Sequence, residues 1–63
     1  MTIDKNKVNL ILAKLQMNAT DFCQMCGISR NRFYVILNSK KVAPKTAGKL
    51  AAALGVDVTE IIE

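Results

Sequence analysis

Arg30, Asn31 and Val35 open the second half of the stretch ATDFCQMCGISRNRFYVILN, residues 19–38. On a generic helix such side chains are solvated surface; on a helix laid in a DNA groove they can read base edges. A guanidinium offers two parallel N–H donors to guanine O6 and N7, a carboxamide pairs with adenine N6 and N7, and a valine packs on a thymine methyl. A good bidentate pair contributes about 1–3 kcal/mol of base discrimination. Cys23 and Cys26 form a C-x-x-C, which is half a zinc site or a redox pair. The chain holds no histidine and no other cysteine, so one protomer completes no four-ligand zinc site, although a dimer would supply four thiolates. A thioredoxin-like pair needs a βαβ context, which is absent. The expectation is two small buried hydrophobes on a helix, with no metal and no cofactor. Paired carboxylates, a Gly-rich phosphate loop and a nucleophile elbow are all missing, so the chain is not expected to be an enzyme.

The elements that must position Arg30 and Asn31 are two short helices about a sharp turn. Phe22, Cys23 and Cys26 give the first an apolar face. Gly27 breaks it, Ile28 follows as an apolar plug, and Ser29 caps the second helix. In that helix Phe33, Ile36 and Leu37 fall at inward spacing, leaving Arg30, Asn31, Tyr34, Val35 and Asn38 outward. A helix–turn–helix with a polar second helix is the motif that enters a DNA major groove.

The same start signal recurs along the chain. Asp4, Asn18, Ser29 and Asp57 each stand as a polar N-cap between two apolar residues, Ile3 and Val8, Met17 and Phe22, Ile28 and Phe33, Val56 and Ile61. Asp57 with Glu60 also resembles a capping box. The first helix carries Val8, Ile11, Leu12 and Leu15 as its buried stripe. The fourth starts near Pro44 after a poor cap, Ala43. It buries Ala47, Leu50, Ala51 and Leu54, and ends at Gly55. Gly48 within it costs up to about 1 kcal/mol relative to Ala and allows a close approach to a neighbouring segment or to DNA. A short fifth helix offers Val58, Ile61 and Ile62 to the core or to a partner. The expected architecture is all-α: five helices in a single domain over residues 1–63.

Composition narrows the function. The chain has 63 residues, is 51% hydrophobic and carries a net charge of +4. No apolar run approaches the roughly 20 residues that span a bilayer, so no membrane role and a cytoplasmic location are expected. Between Phe22 and Val56 there is no acid, while Arg30, Arg32, Lys40, Lys41, Lys45 and Lys49 all lie there. On charge alone this is either a polyanion site or a solvated basic face.

From about Val8 to Ile62 the chain resembles the lambda-repressor-like, Cro/C1-type (XRE) helix–turn–helix family. The marks are Phe22, Cys23, Gly27, Ile28, Ser29, Phe33 and Ile36, then NSKKVAPKTAGKLAAALGVDVTEII. The resemblance implies that Ser29, Arg30, Asn31, Tyr34 and Val35 meet bases. It also implies that Asn18, Arg32, Asn38, Lys40, Lys41 and Lys45 meet phosphates, helped by backbone N–H groups at the starts of the second and fourth helices. Ala19 stands where the family commonly has Gln, and Cys23 replaces a small Ala.

The resemblance thus implies a sequence-specific double-stranded DNA-binding regulator with its recognition helix at 29–38. Small repressors of phages or mobile elements and antitoxin-like autoregulators are of this kind. A homodimer on a near-palindromic operator is expected, with Ile61 and Ile62 as candidate dimer contacts, and no small-molecule substrate. The alternative is a protein-interaction module using Tyr34, Val35 and the last helix.

Overall fold

The computed structural model describes residues 1–63. Four α-helices follow one another: α1 Lys5–Lys14, α2 Ala19–Cys26, α3 Arg30–Asn38 and α4 Pro44–Leu54. All four expected capping residues act as caps. Asp4 accepts from the Asn6 and Lys7 N–H groups. Asn18 forms a reciprocal box with Asp21, Ser29 accepts from the Arg32 N–H, and Asp57 forms a box with Glu60. Each cap satisfies a first-turn donor that would otherwise lack a partner.

The fifth helix is a correction. It is a single 3-10 turn, Val58–Glu60. Its bonds run three residues apart, Glu60 N–H to the Asp57 carbonyl at 2.9 Å and Ile61 N–H to the Val58 carbonyl at 3.2 Å. The backbone then leaves helical geometry: the Ile61 carbonyl accepts from the Asp4 N–H at 2.8 Å, and Ile62 bridges antiparallel to Ile3. The Glu63 N–H donates to the Thr2 carbonyl at 3.0 Å instead of back to the Thr59 carbonyl, so the donor that would continue the helix is taken by the N-terminal segment.

One core joins every element. Val8 and Leu12 of α1, Phe22 and Cys23 of α2, Phe33 and Leu37 of α3, and Ala47, Leu50, Ala51 and Leu54 of α4 are buried together. Ile3, Val42 and Ile61 close it from outside the α-helices. Ile11, Ile36, Val58 and Ile62 are half-buried against the same core. Ile61 is fully buried, so it holds the core and is not available as a dimer contact. Leu15 is the other correction: it is 45% exposed. The α1 stripe runs out because Lys14 ends the helix and Gln16 turns the chain through left-handed backbone at φ 57. A left-handed residue other than glycine costs about 1–2 kcal/mol.

Gly48 faces open space, with nothing within 4 Å of the position a Cβ would take. No segment of the chain approaches it, which removes the first of its two sequence readings. No helix is long and apolar enough to cross a membrane.

Candidate nucleic-acid interface

The turn between α2 and α3 is built from three local devices. Gly27 takes left-handed backbone at φ 72, which a residue without Cβ adopts freely. The Ile28 N–H donates to the Cys23 carbonyl at 3.1 Å, and the Ile28 side chain packs on the core. Ser29 Oγ accepts from the Arg32 N–H at 3.1 Å and starts α3. The angle between the helices is held by the rings of Phe22 and Phe33, whose centroids lie 5.4 Å apart. Cys23 is buried beside them. Burial pushes its thiol above the ordinary value of 9.0, Cys26 pushes the same way, and Arg30 offsets part of the rise. Burial also raises Cys26. Both stay protonated at neutral pH, the inert state for a thiol.

With Phe33 and Leu37 turned inward, α3 presents Arg30, Asn31, Tyr34, Val35 and Asn38 to solvent. Tyr34 is 46% exposed and Val35 58%. The Tyr34 ring rests 5.7 Å from that of Phe33, which steadies it. Arg30 Nη1 reaches Thr20 Oγ1 at 3.4 Å, a loose tether back to α2. Arg32 points to the side. It borders two depressions: one of about 520 Å³ among α2, α3 and α4, lined by Phe22, Cys26 and Leu50, and one of about 240 Å³ between α3 and the start of α4, beside Ser39 and Val42.

The expected phosphate-contacting residues fall into two groups. Lys40, Lys41 and Lys45 are exposed in the α3–α4 loop and the first turn of α4. Ser39 Oγ accepts from the Lys41 N–H at 3.2 Å and shapes that loop. Ala43 supplies no side-chain cap and Pro44 has no N–H, so the Lys45 and Thr46 N–H groups at the start of α4 have no capping side chain. Asn18 and Asn38 are instead engaged within the protein. Asn18 Oδ1 accepts from the Asp21 N–H at 2.8 Å, and the Asp21 carboxylate accepts from the Asn18 N–H at 3.2 Å. A carboxylate thus occupies the start of α2, the position offered above to a phosphate. Asn38 Nδ2 donates to the Tyr34 carbonyl at 2.8 Å, and its Oδ1 accepts from Lys5 Nζ at 2.9 Å.

Lys5 and Thr2 were not anticipated at this surface. Thr2 Oγ1 donates to the Lys40 carbonyl at 3.1 Å. These residues lie 33 and 38 positions from their partners, and no local pattern encodes such a pairing.

A family model described as a Cro/C1-type HTH DNA-binding domain matches residues 7–63. No curated protein and no solved structure matches the chain. The chain belongs to the Cro/C1-type helix–turn–helix DNA-binding domain family, and its function is accordingly DNA binding.

Proposed function

We propose that the protein is a sequence-specific transcriptional repressor that lays α3 in the major groove of an operator. The observation that carries this reading is the outer face of α3, where Arg30 and Asn31 stand exposed at the capped start of the helix within a segment of DNA-binding family. Arg30 and Asn31 read base edges by bidentate hydrogen bonds, Val35 packs on a thymine methyl, and Ser29 and Tyr34 contribute hydroxyls at the same edge. Arg32, Lys40, Lys41 and Lys45 neutralise phosphates along the flank. Asn18 and Asn38 act there through the side-chain N–H groups their internal bonds leave over. A homodimer sets two copies of α3 about 34 Å apart, one helical turn of DNA.

Fluorescence anisotropy against a randomised duplex library and the DNA flanking the gene, at several salt concentrations, tests the reading. Selective binding is expected, with a log–log salt slope of about −0.9 per neutralised phosphate. Arg30→Ala should lose about 1–3 kcal/mol and relax preference at one base position. Lys40→Ala should weaken binding equally on all sequences and flatten the slope by about one. Equal losses by both variants on specific and random DNA would refute this division of roles.

The exposure of Tyr34 and Val35 favours a second reading, in which this face binds another protein. An apolar contact of that kind is insensitive to salt, so the same titration separates the two. Ile61 takes no part in it, because it is core.

A further inference from the structure

The first five residues lie outside the segment matched by the family, yet they contact the loop that carries Lys40 and Lys41. On one side, Met1 and Val42 exchange backbone hydrogen bonds: the Val42 N–H donates to the Met1 carbonyl at 2.7 Å, and the Met1 nitrogen donates to the Val42 carbonyl at 3.0 Å. Thr2 Oγ1 holds the Lys40 carbonyl, and Lys5 Nζ holds Asn38 Oδ1 at the end of α3. On the other side, the Asp4 N–H donates to the Ile61 carbonyl at 2.8 Å, and the Glu63 N–H donates to the Thr2 carbonyl at 3.0 Å. Ile3 is buried between them, pinning the arm to the core.

This arm is a strip of backbone clamped between the loop and the C-terminal segment. The loop itself carries two adjacent lysines and no acid, so it gains no ion pair of its own from nearby sequence. A free loop of this composition would lose conformational entropy each time it met a phosphate, and fixing it beforehand removes that cost from binding.

We propose that the N-terminal arm, through Thr2 and Lys5, positions the α3–α4 loop for phosphate contact. Both are positioning residues: they act on DNA through Lys40, Lys41 and Asn38. The proposal rests on the DNA-binding reading above.

Thr2→Val keeps the β-branched shape and removes only the hydroxyl that holds Lys40, so the fold is retained. The expected result is a loss of affinity of about three- to tenfold, equal on specific and random duplexes, the size of one hydrogen bond. Amide exchange at Lys41 and Val42 should speed up in the same variant without DNA. Thr2→Ser should restore both. A merely structural hydroxyl would lower the melting temperature while leaving affinity unchanged well below it. Thr2→Val protein that binds both duplexes like the wild type, or a loss that Thr2→Ser does not rescue, overturns the proposal. Wild-type protein that binds no duplex at any salt overturns the DNA reading and this proposal with it. That failure shows in the wild type alone, so the two are told apart.

Discussion

The helix–turn–helix and the closure made by the two ends of the chain hold the same surface in different ways. Within residues 18–38 the side-chain hydrogen bonds join neighbours: Asn18 with Asp21, Ser29 with Arg32, and at most Arg30 with Thr20, ten positions away. Around the α3–α4 loop one bond is local, Lys41 N–H to Ser39 Oγ, but the others join residues 33 to 41 positions apart, and Lys7 Nζ reaches the Ile62 carbonyl across 55. Helix α3 is therefore shaped by its own stretch of chain. The α3–α4 loop takes its remaining hydrogen bonds only when the ends have come together. Short-range contacts form at little loop-closure cost, whereas long-range ones form only once the core has drawn the chain in. The two parts of the interface should then respond separately to damage.

The largest expected effect removes that separation. Phe33→Ala deletes a buried ring shared by α2, α3 and the core, at a cost of about 3–5 kcal/mol. A 63-residue domain has little more than that to lose. A urea melt should show loss of the cooperative transition, with both regions failing together. Ile61→Ala comes next, at about 2–5 kcal/mol. It strikes the closure, so exchange at the Asp4 and Val42 amides should accelerate before exchange inside α2 and α3. Uniform acceleration across the molecule would mean that the two regions are one cooperative unit.

Ser29→Ala strikes the other region. It removes the cap of α3 and should cost about 1 kcal/mol, read as a lower melting temperature with faster exchange at the Arg32 amide and none at Val42. Gly48→Ala works in the opposite direction. Its Cβ meets open space, so the substitution should stabilise by up to about 1 kcal/mol and leave both regions intact. If DNA affinity falls while stability rises, Gly48 lies against the duplex.

The smallest effect is a pH dependence of the closure. Hydrogen bonds from the Thr59 backbone N–H and hydroxyl hold the Asp57 carboxyl below its ordinary value of 3.8. A carboxyl depressed in the folded state contributes stability above the unfolded value and loses it as pH falls through the folded one. The melting temperature should therefore drop below about pH 4, and Asp57→Asn should reduce that drop. An unchanged acid profile in the variant would assign the acid sensitivity to other carboxylates.

How much of this was legible beforehand follows the same division. Asp4, Asn18, Ser29 and Asp57 were readable as caps because a cap is defined by residues three or four apart. The α4 stripe of Ala47, Leu50, Ala51 and Leu54 was readable from its period, and each is buried. The outward set on α3 followed from the inward one. Beyond the helix end, at Leu15, the period no longer predicts burial, because the left-handed turn at Gln16 carries no glycine to announce it. The last element failed in the same way. Its box is a local signal, but whether the chain continues as helix past Glu60 depends on the competing bond from the Glu63 N–H to the distant Thr2 carbonyl.

The sequence by itself determined the helix starts, the Gly27 turn, the division of α3 into a core face and a solvent face, and the concentration of positive charge beside it. All of these depend on neighbours within about one or two helical turns. Only the tertiary structure decided that Ile61 belongs to the core, that Asn38 is held by Lys5, and that the loop bearing Lys40 and Lys41 is braced by Thr2. Those are pairings across most of the chain. Each partner meets the other only because folding about one core brings the two ends of the chain side by side, Ile3 bridging to Ile62.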